Sequence, residues 1–216
     1  MSVTTRIQEL NNRLATNLVS KGVSAEGTET TTELINKVND IESGGTSVIN
    51  PEWTDWRYFS YYDNRNDLVA KLKYSDTANG KNFSNMFYNC TALTSIPQLD
   101  TSNGTNFGYM FNGCSALTTI PLLNMSNVSG TSWSNMFYNC PALKNVTFEG
   151  TIPVRGNMSV FSSCPNLTVE SLMSFINALT NMSDTATYTI TIGSTNLAKL
   201  TEEQIQIATD KRITLQ

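Results

Sequence analysis

Four cysteines carry the strongest reactive chemistry in this chain: Cys90, Cys114, Cys140 and Cys164. A thiolate can attack an electrophile, ligate zinc or close a disulfide. The spacings of 24, 26 and 24 residues contain no Cys-x-x-Cys pair, so neither a zinc ribbon nor a thioredoxin-like motif is supported. There is no histidine, which excludes a Ser-His-Asp or Cys-His machine and any imidazole metal site. The pair Glu202-Glu203 reads as charge at a helix start, not as a glycosidase pair. Asp63, Asp67 and Asp76 could meet a cation, but Asp63-Asn-Arg-Asn-Asp67 lacks the loop glycine and closing glutamate of an EF-hand. Glycine-rich phosphate loops are absent. No catalytic residue, metal ligand or cofactor site is expected, and the chain reads as a non-enzyme.

The even cysteine spacing means repeats. One unit reads Phe83-Ser-Asn-Met86-Phe87-Tyr-Asn-Cys90-Thr-Ala92-Leu93-Thr-Ser-Ile96-Pro97. The next reads Phe107-Gly-Tyr-Met110-Phe111-Asn-Gly-Cys114-Ser-Ala116-Leu117-Thr-Thr-Ile120-Pro121. A third runs from Trp133 through Met136, Phe137, Cys140 and Leu143 to Val146. A looser fourth holds Met158, Phe161, Cys164, Leu167 and Val169. Stepping back 24 residues from Phe83 gives a degenerate first unit with Phe59, Tyr62, Val69, Leu72 and Asp76-Thr77, and with Asn66 in the cysteine slot. One unit alone cannot bury its apolar set, whereas stacked units bury it as ladders. The expected ladder residues are Cys90, Cys114, Cys140 and Cys164 with Leu93, Leu117, Leu143 and Leu167. Disulfides between adjacent coils are the alternative for the thiols, since neighbouring coils lie about 5 Å apart, like strands. A four-cysteine metal site would need a tetrahedron, which a ladder does not offer.

The elements that position these residues follow from the pattern. Leu-x-x-Ile-Pro-x-Leu reads as a strand that is short or begins after Pro97 and Pro121, because proline lacks an N–H. Phe-x-x-Met-Phe reads as a short helix or helical turn on the other side. Asp100-Thr101-Ser102-Asn103 and Asn124-Met125-Ser126-Asn127 supply turns between them. The chain carries 29 Thr, 22 Ser and 25 Asn among 216 residues. Repeat turns and faces absorb much of that excess.

Met-Phe-Tyr-Asn-Cys-x-x-Leu-Thr-x-Ile-Pro followed by Asp-Thr-Ser-Asn closely resembles the BspA-like, mycoplasma-lipoprotein-type leucine-rich repeats of bacterial surface proteins and phage or prophage tail proteins. The likeness covers residues 55–170. It implies an α/β leucine-rich-repeat-like solenoid of about five ~24-residue coils. It implies roles in binding and adhesion, with no catalytic residues to carry over.

Three regions are expected: 1–44, a helical attachment or oligomerisation module; 45–170, the solenoid; and 171–216, a C-terminal α/β cap. In the first, Val3, Ile7, Leu10, Leu14 and Leu18 form an amphipathic seam, and Leu34, Ile35, Val38 and Ile41 form a second. Thr30 and Glu33 have capping-box spacing, and Gly44-Gly45 opens a linker. Thr4-Thr5-Arg6-Ile7 and Leu14 to Gly22 resemble the module ahead of such repeats in phage-encoded proteins. Trp53, Trp56, Tyr58, Phe59, Tyr61 and Tyr62 either seal the first coil or form a stacking platform for a glycan or a partner. In the last region, Thr168 to Leu179 reads as a helix, Tyr188 to Ile192 as a strand, Thr201 as a helix cap, and Ile213 with Leu215 as a closing strand. Gly193 to Thr201 resembles the repeat that closes such solenoids in phage tail proteins.

The net charge of -4 argues against a general affinity for nucleic acid or anionic membrane. No apolar run approaches the ~18 residues of a spanning helix. Met1 to Leu10 lacks the basic start and apolar stretch of a secretory signal, so export by that route is not expected. These readings lead to a structural protein of a phage virion, made in the host cytoplasm and placed in a tail fibre, baseplate or similar appendage. Its expected partners are other virion proteins or copies of itself through residues 1–44, and a host-surface glycan or protein. The alternative is a bacterial cell-surface adhesin or protein-interaction module.

Overall fold

The structure, a computed structural model, describes residues 54–57, Phe59, Val69, Leu72, 74–183 and 185–216. They belong to one compact unit, Pro51–Gln216. The expected 1–44 module lies outside the described residues, as do Trp53, Tyr58, Tyr61, Tyr62, Asp63, Asn66 and Asp67.

Successive units lie side by side in parallel register. Asp55 pairs with Asn82 and Asn82 with Asn106, so the first step is 27 residues and the second 24. This corrects the back-step of 24 from Phe83. Trp56, which follows Asp55, takes the Phe83 slot, and three extra residues fall between Trp56 and Thr77. Trp56 is 1% exposed and packs on Phe59 at 5.4 Å. Trp56 is therefore a core residue of the first coil, while Phe59 is half-buried.

The Phe-x-x-Met-Phe segments form no helix. Their amides alternate between two kinds of partner. Phe83, Asn85, Phe87 and Asn89 donate to the carbonyls of Asn106, Gly108, Met110 and Asn112 in the next coil, at 2.7–3.0 Å. The intervening Met86, Tyr88 and Cys90 donate back three residues along their own chain. Phe107, Tyr109, Phe111 and Gly113 repeat the scheme onto the third unit. Such a path needs a left-handed residue at every fourth position. Asn85, Asn89, Asn135 and Asn139 supply it with φ of 53–58°, a region asparagine tolerates well. Gly113 supplies it once, and there a Cβ would land on the Asn89 carboxamide.

Tyr109 breaks the pattern, with φ 59° in a slot that Asn85 and Asn135 fill elsewhere. A bulky side chain there costs about 1–2 kcal/mol. Tyr109→Asn should raise stability by about 0.5–1 kcal/mol after loss of the Tyr88 ring contact, read as a higher denaturant midpoint at unchanged slope.

On the opposite side, β1 (Thr119–Asn124) pairs in parallel with β2 (Asn145–Glu149). Pro121 lies inside β1, where the register shifts between Ile120 and Leu122. The strand thus begins before the proline, and the irregularity removes the need for its N–H. The unit of Cys90 contributes a bridge, Ser95 to Thr119. Beyond β2 a helix takes the next strand's place: α1 (Val169–Ala178), capped by Thr168. Its Ser171 and Ser174 hydroxyls accept the Val146 and Phe148 amides at 3.0 and 2.8 Å. Helix hydroxyls thereby satisfy a strand edge that would otherwise be orphaned.

Hydroxyls and carboxamides tie the turns together in the same way. The Thr77 hydroxyl accepts from the Asp100 amide at 2.8 Å, and the Thr101 hydroxyl from the Asn124 amide at 2.7 Å. Asn103 and Asn127 donate to Ala78 and Ser102 carbonyls one coil back. Thr105 and Thr118 do the same to Lys81 and Thr94. Among the described residues, these Thr and Asn side chains make inter-coil hydrogen bonds that continuous strands would otherwise provide.

Parallel pairing continues into the closing region. There β3 (Ile152–Val154) pairs with β5 (Leu179–Asn181). A second sheet runs in the order β4 (Met158–Ser159), β6 (Tyr188–Thr191), β7 (Ile213–Leu215). Short α2 (Ser194–Leu197) and α3 (Glu202–Asp210) connect the strands. Thr201 and Gln204 form a reciprocal capping box on α3. Lys211 donates to the Ile176 and Asn177 carbonyls at the end of α1, where a helix favours a cation.

Candidate functional site

The sulfur atoms do not form a reactive centre. All four cysteines are buried and none forms a disulfide. Cys114, Cys140 and Cys164 donate to the carbonyls of Phe87, Phe111 and Phe137, one coil back, each at 3.0 Å. Burial, followed by the neighbouring Cys90, pushes the Cys114 thiol far above its ordinary range. The contact with Cys164, followed by burial, does the same for Cys140. A thiol held protonated in an apolar ladder is a poor nucleophile. Asn196 takes the same slot in the closing region. It is buried, and its Nδ2 donates to the Phe161, Cys164 and Ile192 carbonyls at 3.3, 3.0 and 2.9 Å. An amide there does for the backbone what the thiol does elsewhere.

Leu93, Leu117, Leu143 and Leu167 are all buried. Beside them Phe87, Phe111, Phe137 and Phe161 stack ring on ring, with centroids 5.4, 5.9 and 5.1 Å apart. Phe83 stacks on Phe107 at 5.4 Å. These are attractive offset distances. The rings pack the turn segments of successive coils against one another. Among the described residues, no group of three or more Cys, Asp or Glu could hold a metal ion, and no helix is long and apolar enough to cross a membrane.

The surface of the turn segments is of a different kind. Tyr109 and Tyr138 are 43% and 52% exposed, and Tyr88 lies 6.5 Å from Tyr109 between ring centroids. In the next coil the slots of Tyr109 and Tyr138 hold Ser159 and Ser162, both exposed, with hydroxyls 2.8 Å apart. Here the face opens into a groove of about 410 Å³ lined by Asn157, Met158, Ser159, Thr189, Thr191 and Gln216. Repeat alignment alone gives these residues no prominence. Only the tyrosines carry a sequence signal, which is missing charge: from Asn82 to Leu143 the single charged residue is Asp100.

Among the described residues, parallel bridges and stacked phenylalanine rings join each repeat unit to the next. The chain belongs to the family described as "Mycoplasma protein of unknown function, DUF285", which matches residues 57–175, more than half its length. No curated protein and no solved structure matches it.

Proposed function

We propose that the stack is an α/β leucine-rich-repeat-like solenoid of the BspA-like type, serving as a non-enzymatic component of a phage virion in a tail fibre, baseplate or similar appendage. Residues 1–44 attach it to other virion proteins or to copies of itself, and the solenoid meets the host surface. The observation that supports this reading is the coupling of a register-locked core to a nearly uncharged outer face. Stacked Phe rings and inter-coil amides fix that face in place, so little ordering entropy is lost on binding. Copies on one particle multiply weak single-site affinities through effective concentration. Immunogold electron microscopy of purified virions should place the chain on an appendage, and its absence from particles would overturn the reading. The second reading, a bacterial cell-surface adhesin or interaction module, is favoured by the family's description as a mycoplasma protein. It expects labelling of intact cells instead.

A further inference from the structure

We propose that the tyrosine row and the groove at its end form one extended binding site for a neutral oligosaccharide. This rests on the reading of the stack as a host-surface binder and names the ligand class for it. Three properties of the site converge on that class. First, its chemistry is hydroxyl and carboxamide throughout. Asn157, Ser159, Thr189, Thr191 and Gln216 line the groove with one apolar residue, Met158. Asn157 is held in place because its Oδ1 accepts the Thr189 amide at 2.8 Å, which leaves its Nδ2 as a donor. Such groups pair with sugar hydroxyls, which both donate and accept.

Second, charge is absent where an ionic ligand would need it. The turn segments 83–90, 107–114 and 131–140 contain no Asp, Glu, Lys or Arg, and neither does the groove lining. A sialylated, sulfated or uronic acid chain would find no cationic side chain in the turn segments or in the groove lining. The lining also offers no deep apolar pocket to anchor the aromatic or arginine side chain that dominates protein interfaces.

Third, the aromatic residues are placed one to a coil. Tyr88, Tyr109 and Tyr138 belong to three successive units of the parallel stack. Tyr109 keeps a left-handed backbone that asparagine occupies in the flanking units. Tyrosine rings offer apolar faces for sugar C–H groups and a hydroxyl at the edge. An exposed tyrosine in that unfavourable slot fits a contact residue better than a packing residue.

The test uses the full chain on immobilised oligosaccharides. The neutral set is α- and β-linked hexose and N-acetylhexosamine oligomers, and the charged set is sialylated, sulfated and uronic acid oligomers. At least one neutral oligomer should be retained, with affinity unchanged between low and high salt. Tyr138→Ala and Tyr109→Asn should each weaken that binding at least tenfold, the second while raising thermal stability. Ser159→Trp, which fills the groove from an exposed position, should abolish it. Retention of charged oligomers only, retention of none, or neutral binding indifferent to all three substitutions overturns the proposal. Host-protein binding that survives deglycosylation, with no neutral oligomer retained, overturns it in favour of a protein partner. Particles that carry the chain but retain no neutral oligomer would remove this site and leave the virion reading intact. Tyrosine-dependent neutral binding by a chain absent from particles would do the reverse.

Discussion

Replacing Phe111 with alanine is expected to cost about 4 kcal/mol, within the usual range for a buried phenylalanine. Phe111 is fully buried, stacked between Phe87 at 5.4 Å and Phe137 at 5.9 Å. Each coil of a stack touches only its neighbours, so a gap at a central rung has no distant contacts to compensate for it. The cavity would also loosen the Phe111 carbonyl, which accepts the Cys140 thiol. Tyr138→Ala is the control. It removes a ring of similar size from a half-exposed site one coil away, and should change stability by no more than about 0.5 kcal/mol. Equilibrium unfolding in urea would measure both. Equal losses for the two variants would contradict the stacked-ring account.

Stability should also fall steeply in mild alkali. The folded chain holds the Cys114 and Cys140 thiols protonated far above their ordinary value of 9.0, while the unfolded chain ionises them there. Above pH 9 the folded state therefore binds more protons than the unfolded one, and unfolding free energy falls as pH rises. The contribution is intact below the ordinary value. Above it the loss is about 1.4 kcal/mol per pH unit for each thiol, so about 2–3 kcal/mol per unit for the pair. Unfolding midpoints between pH 8 and 10.5 would show the slope. Cys114→Ser keeps a donor for the Phe87 carbonyl but removes the titration, and should flatten the slope by about half. A slope unchanged in that variant would place the alkaline sensitivity elsewhere.

The repeat was legible because buried positions recur by type: Met, Phe, Cys and Leu stand at the same offsets in unit after unit. The closing elements were legible for the usual local reasons, such as the Thr168 and Thr201 caps and the apolar positions of α1. The turn segments were read as helix or helical turn, because Phe83, Met86 and Phe87 have helical spacing. Asn85 and Asn89 signal otherwise, since asparagine in a left-handed slot at every fourth position goes with every second amide donating to the neighbouring coil. The step of 24 failed at the first coil because Trp56, and not Phe59, fills the leading aromatic slot. Pro97 and Pro121 pointed to a strand that is short or begins after them; β1 begins before Pro121, and a register shift accommodates the proline inside it. The outer face was the hardest part to read. Exposed tyrosines need no partner in the core, and only the long uncharged stretch around them sets them apart.

Residue-resolved amide hydrogen exchange reads whether the outer face is rigid and locked in register. The amides of Phe83, Asn85, Phe87 and Asn89, and of Phe107, Tyr109, Phe111 and Gly113, lie in turns but donate across coils. They should exchange as slowly as the amides between β1 and β2, through global opening. Fast exchange at these eight amides, with protection confined to β1, β2 and α1, would contradict the account.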